Sequence, residues 1–170
     1  KRYKMIKWGI LSTAKIATEQ IIPAILESKN SIIYGIASRD LKKAKKLVKQ
    51  FDIKEAFSSY KDILNCKKID AIYIPLPTSQ HIEWSIFSLR AQKHVLCEKP
   101  IALNVKEIDK LDLEIKKSNR IFSEAFMVYY HPQWKKVKKL ISDGEIGDLK
   151  HVQGCFTYFN IDPKNMRNIP

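Results

Sequence analysis

The stretch Met5-Ile-Lys-Trp-Gly-Ile-Leu-Ser-Thr-Ala-Lys-Ile-Ala17 decides how the chain begins to fold. Met5 to Leu11 is a short apolar run ending in small residues, the pattern of a buried strand. A helical pattern follows, with Ile16, Ile21, Ile22, Ala24, Ile25 and Leu26 apolar, and fades at Ser28-Lys29-Asn30. The turn between them, Gly9 to Ala17, stands where a phosphate-cradling G-x-G-x-x-G would lie, in which glycines let backbone amides approach an anion. Ser12, Ala14 and Ala17 fill the three slots: all small, none glycine. A plain strand–helix turn has the same signature, so this stretch alone leaves both readings open. In the phosphate reading, the hydroxyls of Ser12 and Thr13 add donors to the positive end of the helix dipole.

The same rhythm continues outward. Ile32 to Ala37 reads as a strand and Leu41 to Phe51 as a lysine-coated helix. Asp70 to Ile74 is a strand stopped by Pro75 and Pro77, and Ile82 to Ala91 is helical. His94 to Cys97 is again strand, Val105 to Lys117 an amphipathic helix, and Arg120 to Ala125 one more strand. Strands alternating with helices predict βαβ units, a mainly parallel sheet and right-handed crossovers that place helices on both faces. After Glu124 the rhythm changes. Pro132 to Ser142 reads as a helix, Asp143 to Asp148 as a turn-rich break, and Leu149 to Phe159 as an alternating strand suited to an antiparallel sheet. The irregular Ile161 to Pro170 closes the chain. The expected fold is therefore α/β, a Rossmann-type doubly wound sheet over residues 1–125. The truncated start of a second, α+β open-sheet domain is expected over 126–170.

Composition narrows the partners. With 170 residues and 45% hydrophobic content, the chain buries one good core and starts another. It opens on Lys1 with Met5 its first methionine, so an initiator is expected to be missing or translation to start elsewhere. Cys66, Cys97 and Cys155 are odd in number, widely spaced and form no C-x-x-C pair. Neither a disulfide framework nor a zinc site is expected, and a reducing cytoplasm suits them. Lys7 and Lys15 interrupt the only stretch resembling a signal peptide, no run is long enough to span a bilayer, and a soluble protein is expected. The net charge of +13 comes chiefly from lysines at helical spacing, such as Lys42, Lys43, Lys45, Lys46 and Lys49. A sequence-reading nucleic-acid module favours arginine and exposed aromatics. The lysines read better as solvated helix faces.

Two further motifs carry chemistry. Ligands of open α/β sheets bind beyond the carboxyl ends of the strands. At the second strand's tip, where an acid would select NAD, stand Ser38 and Arg39, with Lys42 and Lys43 close behind. A hydroxyl, a planar guanidinium and a lysine suit the 2′-phosphate of NADP, and Arg39 offers a platform for adenine. The competing reading is an ordinary helix start with Asp40 as its N-cap. After the strand at His94 comes Cys97-Glu98-Lys99-Pro100. Proline there fits a special turn and a cis bond. Lysine there can donate to a substrate oxygen and stabilise alkoxide character. A loop holding a salt-bridged lysine is the alternative.

The set WGILSTAKIA, ASRD, IPLPTSQH, CEKP and EAFMVYYHPQW, in this order, resembles the Gfo/Idh/MocA family of glucose–fructose oxidoreductases and inositol dehydrogenases. It is most similar to the NADP-using branch of D-xylose and trans-1,2-dihydrodiol dehydrogenases. The resemblance implies that Ser12, Thr13, Ala14, Lys15 and Ile16 cradle the pyrophosphate. Ser38 and Arg39 would face the adenosine, with Lys43 a phosphate partner and Tyr60 near the adenine. Pro75, Leu76, Pro77, Thr78 and His81 would run along the cofactor. Glu98, Lys99 and Pro100 would sit by the nicotinamide ribose, with Lys99 the catalytic, substrate-contacting lysine. Glu124, Met127 and Tyr130 would come near the nicotinamide or substrate. Tyr129 stands where xylose-like members often carry arginine. The family's second catalytic group lies on a C-terminal domain of which only the first helix and strand are expected here. Neither His131 nor His151 matches it, and both read as structural.

Three functions follow as expectations. The first is NADP-dependent hydride transfer with a sugar or cyclic diol CH–OH group, with NAD the lesser cofactor. A homo-oligomer would be typical of the family, and a separate C-terminal polypeptide could supply the missing half. The second is a dinucleotide-binding remnant without turnover, whose HVQGCFTYF strand would be an exposed edge prone to self-pairing. The third, a basic nucleic-acid module, rests on charge alone and leaves CEKP and PLPTSQH unexplained.

Overall fold

Six apolar segments line up as parallel strands. The computed structural model describes residues 4–159 and 161. It divides into two compact units, residues 1–126 and 127–170. In the first, the strands are β1 (Ile6–Leu11), β2 (Ser31–Ala37), β3 (Glu55–Phe57), β4 (Ala71–Ile74), β5 (His94–Cys97) and β6 (Phe122–Glu124). The sheet order is β3-β2-β1-β4-β5-β6, with every pair parallel. This is the Rossmann order, and the chain reverses its direction of travel between β1 and β4.

Strand alternation divides the core into two layers. Leu11, Ala37, Ile72, Ile74, Val95 and Cys97 face one layer together with Ile63 and Leu64, Leu89 and Leu111. Those four come from α3 (Tyr60–Asn65), α4 (His81–Arg90) and α5 (Val105–Ser118). Ile10, Ile36 and Tyr73 face the other, against Ile22 and Ile25 of α1 (Ile22–Glu27) and Ala44 of α2 (Leu41–Gln50). A π-helical turn, Ala17–Ile21, leads into α1. The lysines of α2 lie on its outer side while Ala44 is fully buried, as the sequence pattern predicts.

The apolar pattern passes straight from α2 to β4 and misses β3 and α3, although the family resemblance places Tyr60, the first residue of α3, at a helix start. A three-residue strand has too little periodicity to register, and β3 exists because it pairs with β2 through Gly35↔Glu55 to Ala37↔Phe57. In residues 127–161, a 3₁₀ turn at Met127–Tyr130 precedes α6 (Pro132–Ser142). His131 caps α6, its Nδ1 accepting the Gln133 N–H at 3.1 Å. The strand expected over Leu149 to Phe159 is not formed: among the described residues this segment is exposed and belongs to no sheet. Alternating residues make a strand only when a neighbouring strand takes up the backbone hydrogen bonds, and none is present there. The tail expected to be irregular lies, apart from Ile161, outside the described residues. Among the described residues, no helix is long and apolar enough to cross a membrane.

Candidate functional site

The crevice at the carboxyl ends of β1, β2, β4 and β5 is built by the turns that leave those strands. Directly after β1, Ser12 takes φ +97°, a conformation that normally favours glycine. Its N–H donates to Ala37 O at 2.8 Å, and its hydroxyl donates to Pro75 O at 3.4 Å. The same oxygen accepts the Ala14 N–H at 3.1 Å. One residue thus ties the ends of β1, β2 and β4 together at the reversal point. The neighbouring Thr13 N–H has no acceptor among the described residues.

A cleft of about 320 Å³ opens beside this turn. Ser12, Thr13 and Ala14 form one wall, Ser38, Arg39 and Asp40 the tip of β2, and Lys43 and Tyr60 the sides. Ser38 is buried, its N–H donating to Phe57 O at 3.1 Å and its hydroxyl accepting the Asp40 N–H at 3.1 Å. Asp40 caps α2, its carboxylate accepting the N–H groups of Lys42 and Lys43 at 2.9 and 3.4 Å. The acid of this tip therefore serves the helix, while Arg39 and Lys43 are exposed along the cleft. An adjoining cleft of about 420 Å³ shares Thr13 and Lys43 and extends toward Lys46 and Gln50.

A second cluster follows β4 and β5. The Lys99–Pro100 peptide bond is cis. Each residue from Glu98 to Ile101 is fixed from outside the loop or by its neighbour. The Glu98 N–H donates to Ile74 O at 3.1 Å, and the Lys99 N–H to Glu98 Oε2 at 3.3 Å. Pro100 O meets His81 Nδ1 at 2.8 Å, and the Ile101 N–H donates to Glu124 Oε1 at 2.9 Å. His81 is only 1% exposed, and its Nε2 lies 2.7 Å from Leu76 O, so the ring ties the Pro75–Pro77 turn to the Lys99–Pro100 turn. Tyr73 donates its phenol to Glu98 Oε1 at 2.7 Å. Burial, then this bond, pushes the Tyr73 hydroxyl well above its ordinary value and keeps it a donor. Burial likewise pushes the Cys97 thiol up to about 12, which leaves it inert. Lys99 itself is exposed.

The family model described as an oxidoreductase family with an NAD-binding Rossmann fold, GFO_IDH_MocA, matches residues 6–126. The chain belongs to the Gfo/Idh/MocA oxidoreductase family. An uncharacterised oxidoreductase, ORF334 of Rhizobium meliloti, is 42% identical over 164 residues, 96% of this chain and 49% of its own. Trans-1,2-dihydrobenzene-1,2-diol dehydrogenase of Xenopus tropicalis is 32% identical over 88% of this chain and 46% of its own. The 3-ketoreductase KijD10 of Actinomadura kijaniata, solved with TDP-benzene and NADP, superposes with a TM-score of 0.77 at 31% identity. That match covers 83% of this chain and 44% of KijD10. The chain spans about half the length of the curated relatives it matches.

In this Gfo/Idh/MocA chain the residues singled out from sequence fall into two groups. Ser12, Thr13, Ala14, Ser38, Arg39, Lys43 and Tyr60 line the cleft. Pro75, Leu76, His81, Glu98 and Pro100 form the second cluster, where His81 bridges main-chain oxygens. Lys15 and Ile16 belong to neither: Lys15 pairs with Glu19 at 3.7 Å, and Ile16 is 36% exposed. Pro77 and Thr78 begin a 3₁₀ turn ahead of α4. Tyr73 was not singled out, because within the run Asp70 to Ile74 it reads as core. Asp40 lines the cleft as well as capping α2.

The cleft fits a dinucleotide by the chemistry it offers. It has an unpaired amide at Thr13, hydroxyls at Ser12 and Ser38, two cations at the β2 tip and the aromatic Tyr60.

Proposed function

We propose that residues 1–125 bind NADP across this crevice and that the complete protein moves hydride between nicotinamide and a CH–OH group of a sugar or cyclic diol. The observation that carries it is the β2 tip. Arg39 and Lys43 border the cleft there, and the only carboxylate, Asp40, is engaged in capping α2. A 2′-phosphate gains a planar guanidinium and an ammonium at that point, whereas the acid that would hold the ribose hydroxyls of NAD is here drawn to the helix cap through its Oδ1. By their names KijD10 is a 3-ketoreductase and the Xenopus protein a dehydrogenase of a cyclic diol, which supports the substrate class.

In this reading Ser12, Thr13 and Ala14 hold the pyrophosphate, with Lys15 and Ile16 behind them at the start of the helix. Tyr60 flanks the adenine. Pro75, Leu76, Pro77 and Thr78 form the wall along the cofactor, which His81 braces from behind. Glu98, Lys99 and Pro100 border the nicotinamide ribose. Bound nicotinamide supplies the hydride acceptor or donor. Lys99 is the catalytic residue: its ammonium donates to the substrate oxygen and stabilises the negative charge that grows there. The substrate pocket is completed by protein beyond residues 1–125, within a homo-oligomer or from a separate polypeptide. A reducing compartment, the cytoplasm, suits the free thiols of Cys66, Cys97 and Cys155.

The test is calorimetric titration with NADPH and with NADH, on the chain and on Arg39→Ala. NADPH is expected to bind about tenfold or more tightly than NADH, with most of that margin gone in the variant. Equal affinity for the two dinucleotides, or no binding of either at millimolar concentration, overturns the reading.

A further inference from the structure

Tyr73 is the middle of β4, fully buried against Ile10, Ile36 and Ala17 on the α1–α2 side of the sheet. In register it pairs with Leu96 of β5. Glu98 lies two residues beyond Leu96, so strand alternation returns it to the same face, diagonal to Tyr73. The tyrosine ring is long enough to span that diagonal from inside the core, and its hydroxyl ends 2.7 Å from Glu98 Oε1. The other carboxylate oxygen accepts the Lys99 N–H. A chain of bonds therefore runs from the buried sheet through the Glu98 carboxylate to the backbone of Lys99.

The other braces act elsewhere. His81 holds Pro100 O, and Glu124 holds the Ile101 N–H. Tyr73 is the brace that reaches the Glu98 side chain from the core, at 2.7 Å, against 3.3 Å for the neighbouring Lys99 N–H. A carboxylate on a strand-end turn otherwise samples several rotamers, and each ligand contact it makes then bears the cost of ordering it.

We infer that Tyr73 is a positioning residue of the nicotinamide half of the site, presetting the Glu98 carboxylate and through it the Lys99 backbone before ligand arrives. This rests on the dinucleotide reading above. It separates Tyr73 from a core residue whose hydroxyl is merely satisfied, because it assigns the phenol an effect at one end of the ligand and not the other.

The experiment compares two probes on the same protein. NADPH spans the whole crevice, whereas adenosine 2′,5′-bisphosphate reaches only the Ser38–Arg39–Lys43 end. Tyr73→Phe keeps the ring and removes one oxygen. It is expected to weaken NADPH about fivefold or more while leaving the bisphosphate within about twofold. Glu98→Gln should weaken NADPH similarly, and the double variant should bind like either single one, as members of one chain of contacts do. Wild-type NADPH affinity in Tyr73→Phe, an equal fall for both probes, or additive losses in the double variant each overturn the inference. Failure of the unmodified chain to bind either probe instead overturns the dinucleotide reading, and the inference falls with it.

Discussion

Gly35→Ala tests the packing that shapes the β2-tip end of the crevice. Gly35 lies in β2 opposite Glu55, and a β-carbon there would sit 2.5 Å from Phe57 Cε2, 3.1 Å from Cδ2 and 3.2 Å from Glu55 O. Carbon atoms pack at about 3.5–4.0 Å, so the ring must retreat by roughly 1 Å or more. Phe57 is 9% exposed and lies in one cluster with Tyr34, Tyr60, Ile63 and Leu64, so the ring has no open space to enter. The cheapest relief is outward movement of β3, an edge strand whose sheet pairing is with β2 alone among the described residues. Overpacking of this kind costs about 1–3 kcal/mol. For a domain of this size that lowers Tm by roughly 4–12 °C. Circular dichroism melting reads it directly. Phe57→Leu in the same chain should recover part of the loss, giving a coupling of about 1 kcal/mol in a double-mutant cycle. A wild-type Tm for Gly35→Ala, or strict additivity with Phe57→Leu, refutes the steric reasoning.

Two more outcomes are expected. Lys93 is 6% exposed, and its ammonium bonds Cys66 O at 2.8 Å and Ile69 O at 2.7 Å. Lys93→Met should cost roughly 2–3 kcal/mol, since two charge-assisted bonds vanish and the relief from a buried charge offsets only part of them. Chemical denaturation measures this, and an unchanged midpoint counts against it. Burial, then the Arg120 guanidinium, holds His94 below its ordinary 6.5, and its Nδ1 accepts the Ile121 N–H at 3.0 Å. With the folded value depressed, the unfolded chain binds more protons between that value and 6.5, so stability is lost as pH falls below 6.5. Denaturation curves above and below that pH should show the loss in the wild type and less of it in His94→Asn; equal sensitivity in both defeats the assignment.

What the sequence discloses about the fold depends on length of pattern. β1, β2, β4 and β5 announce themselves because each is a run of apolar residues between turn residues, and α2 and α5 because their periodicity lasts long enough to separate faces. β3 is silent, since Glu55–Phe57 offers one buried residue and owes its existence to its neighbour. Leu149 to Phe159 shows the opposite failure. Alternation there describes two faces of a strand but carries no information about a partner, and without one the segment is not a strand. At the site, residues of the turns are legible because their types are unusual where they stand: Ser38-Arg39 at a strand tip, Glu98-Lys99-Pro100 after another. The braces are not. Tyr73 looks like any core aromatic, and Glu124, which the family resemblance brings near the nicotinamide or substrate, gives no sign in the sequence that its carboxylate holds the Ile101 N–H. His81 is visible as a polar residue near the loop, but only the coordinates reveal that both its nitrogens meet main-chain oxygens.

The missing glycines of the first turn are resolved by the same physical view. A fingerprint of glycines states requirements of backbone and space, and other residues can meet them. Ser12 adopts φ +97° at a cost on the order of 1 kcal/mol for a residue with a β-carbon. The side chain that incurs this cost also offsets it, by accepting the Ala14 N–H and reaching Pro75 O. Ala17, in the third slot, is fully buried against Ile10 and Ile22, so a methyl group fits where the helix packs on the sheet. Glycine at Ser12 would relax the backbone and release both bonds, leaving the turn free to move. A serine-built turn is thus stiffer than a glycine-built one of the same shape. In the dinucleotide reading proposed above, it holds the Thr13 amide in place for the pyrophosphate, as the braces around Glu98 hold the other end of the crevice.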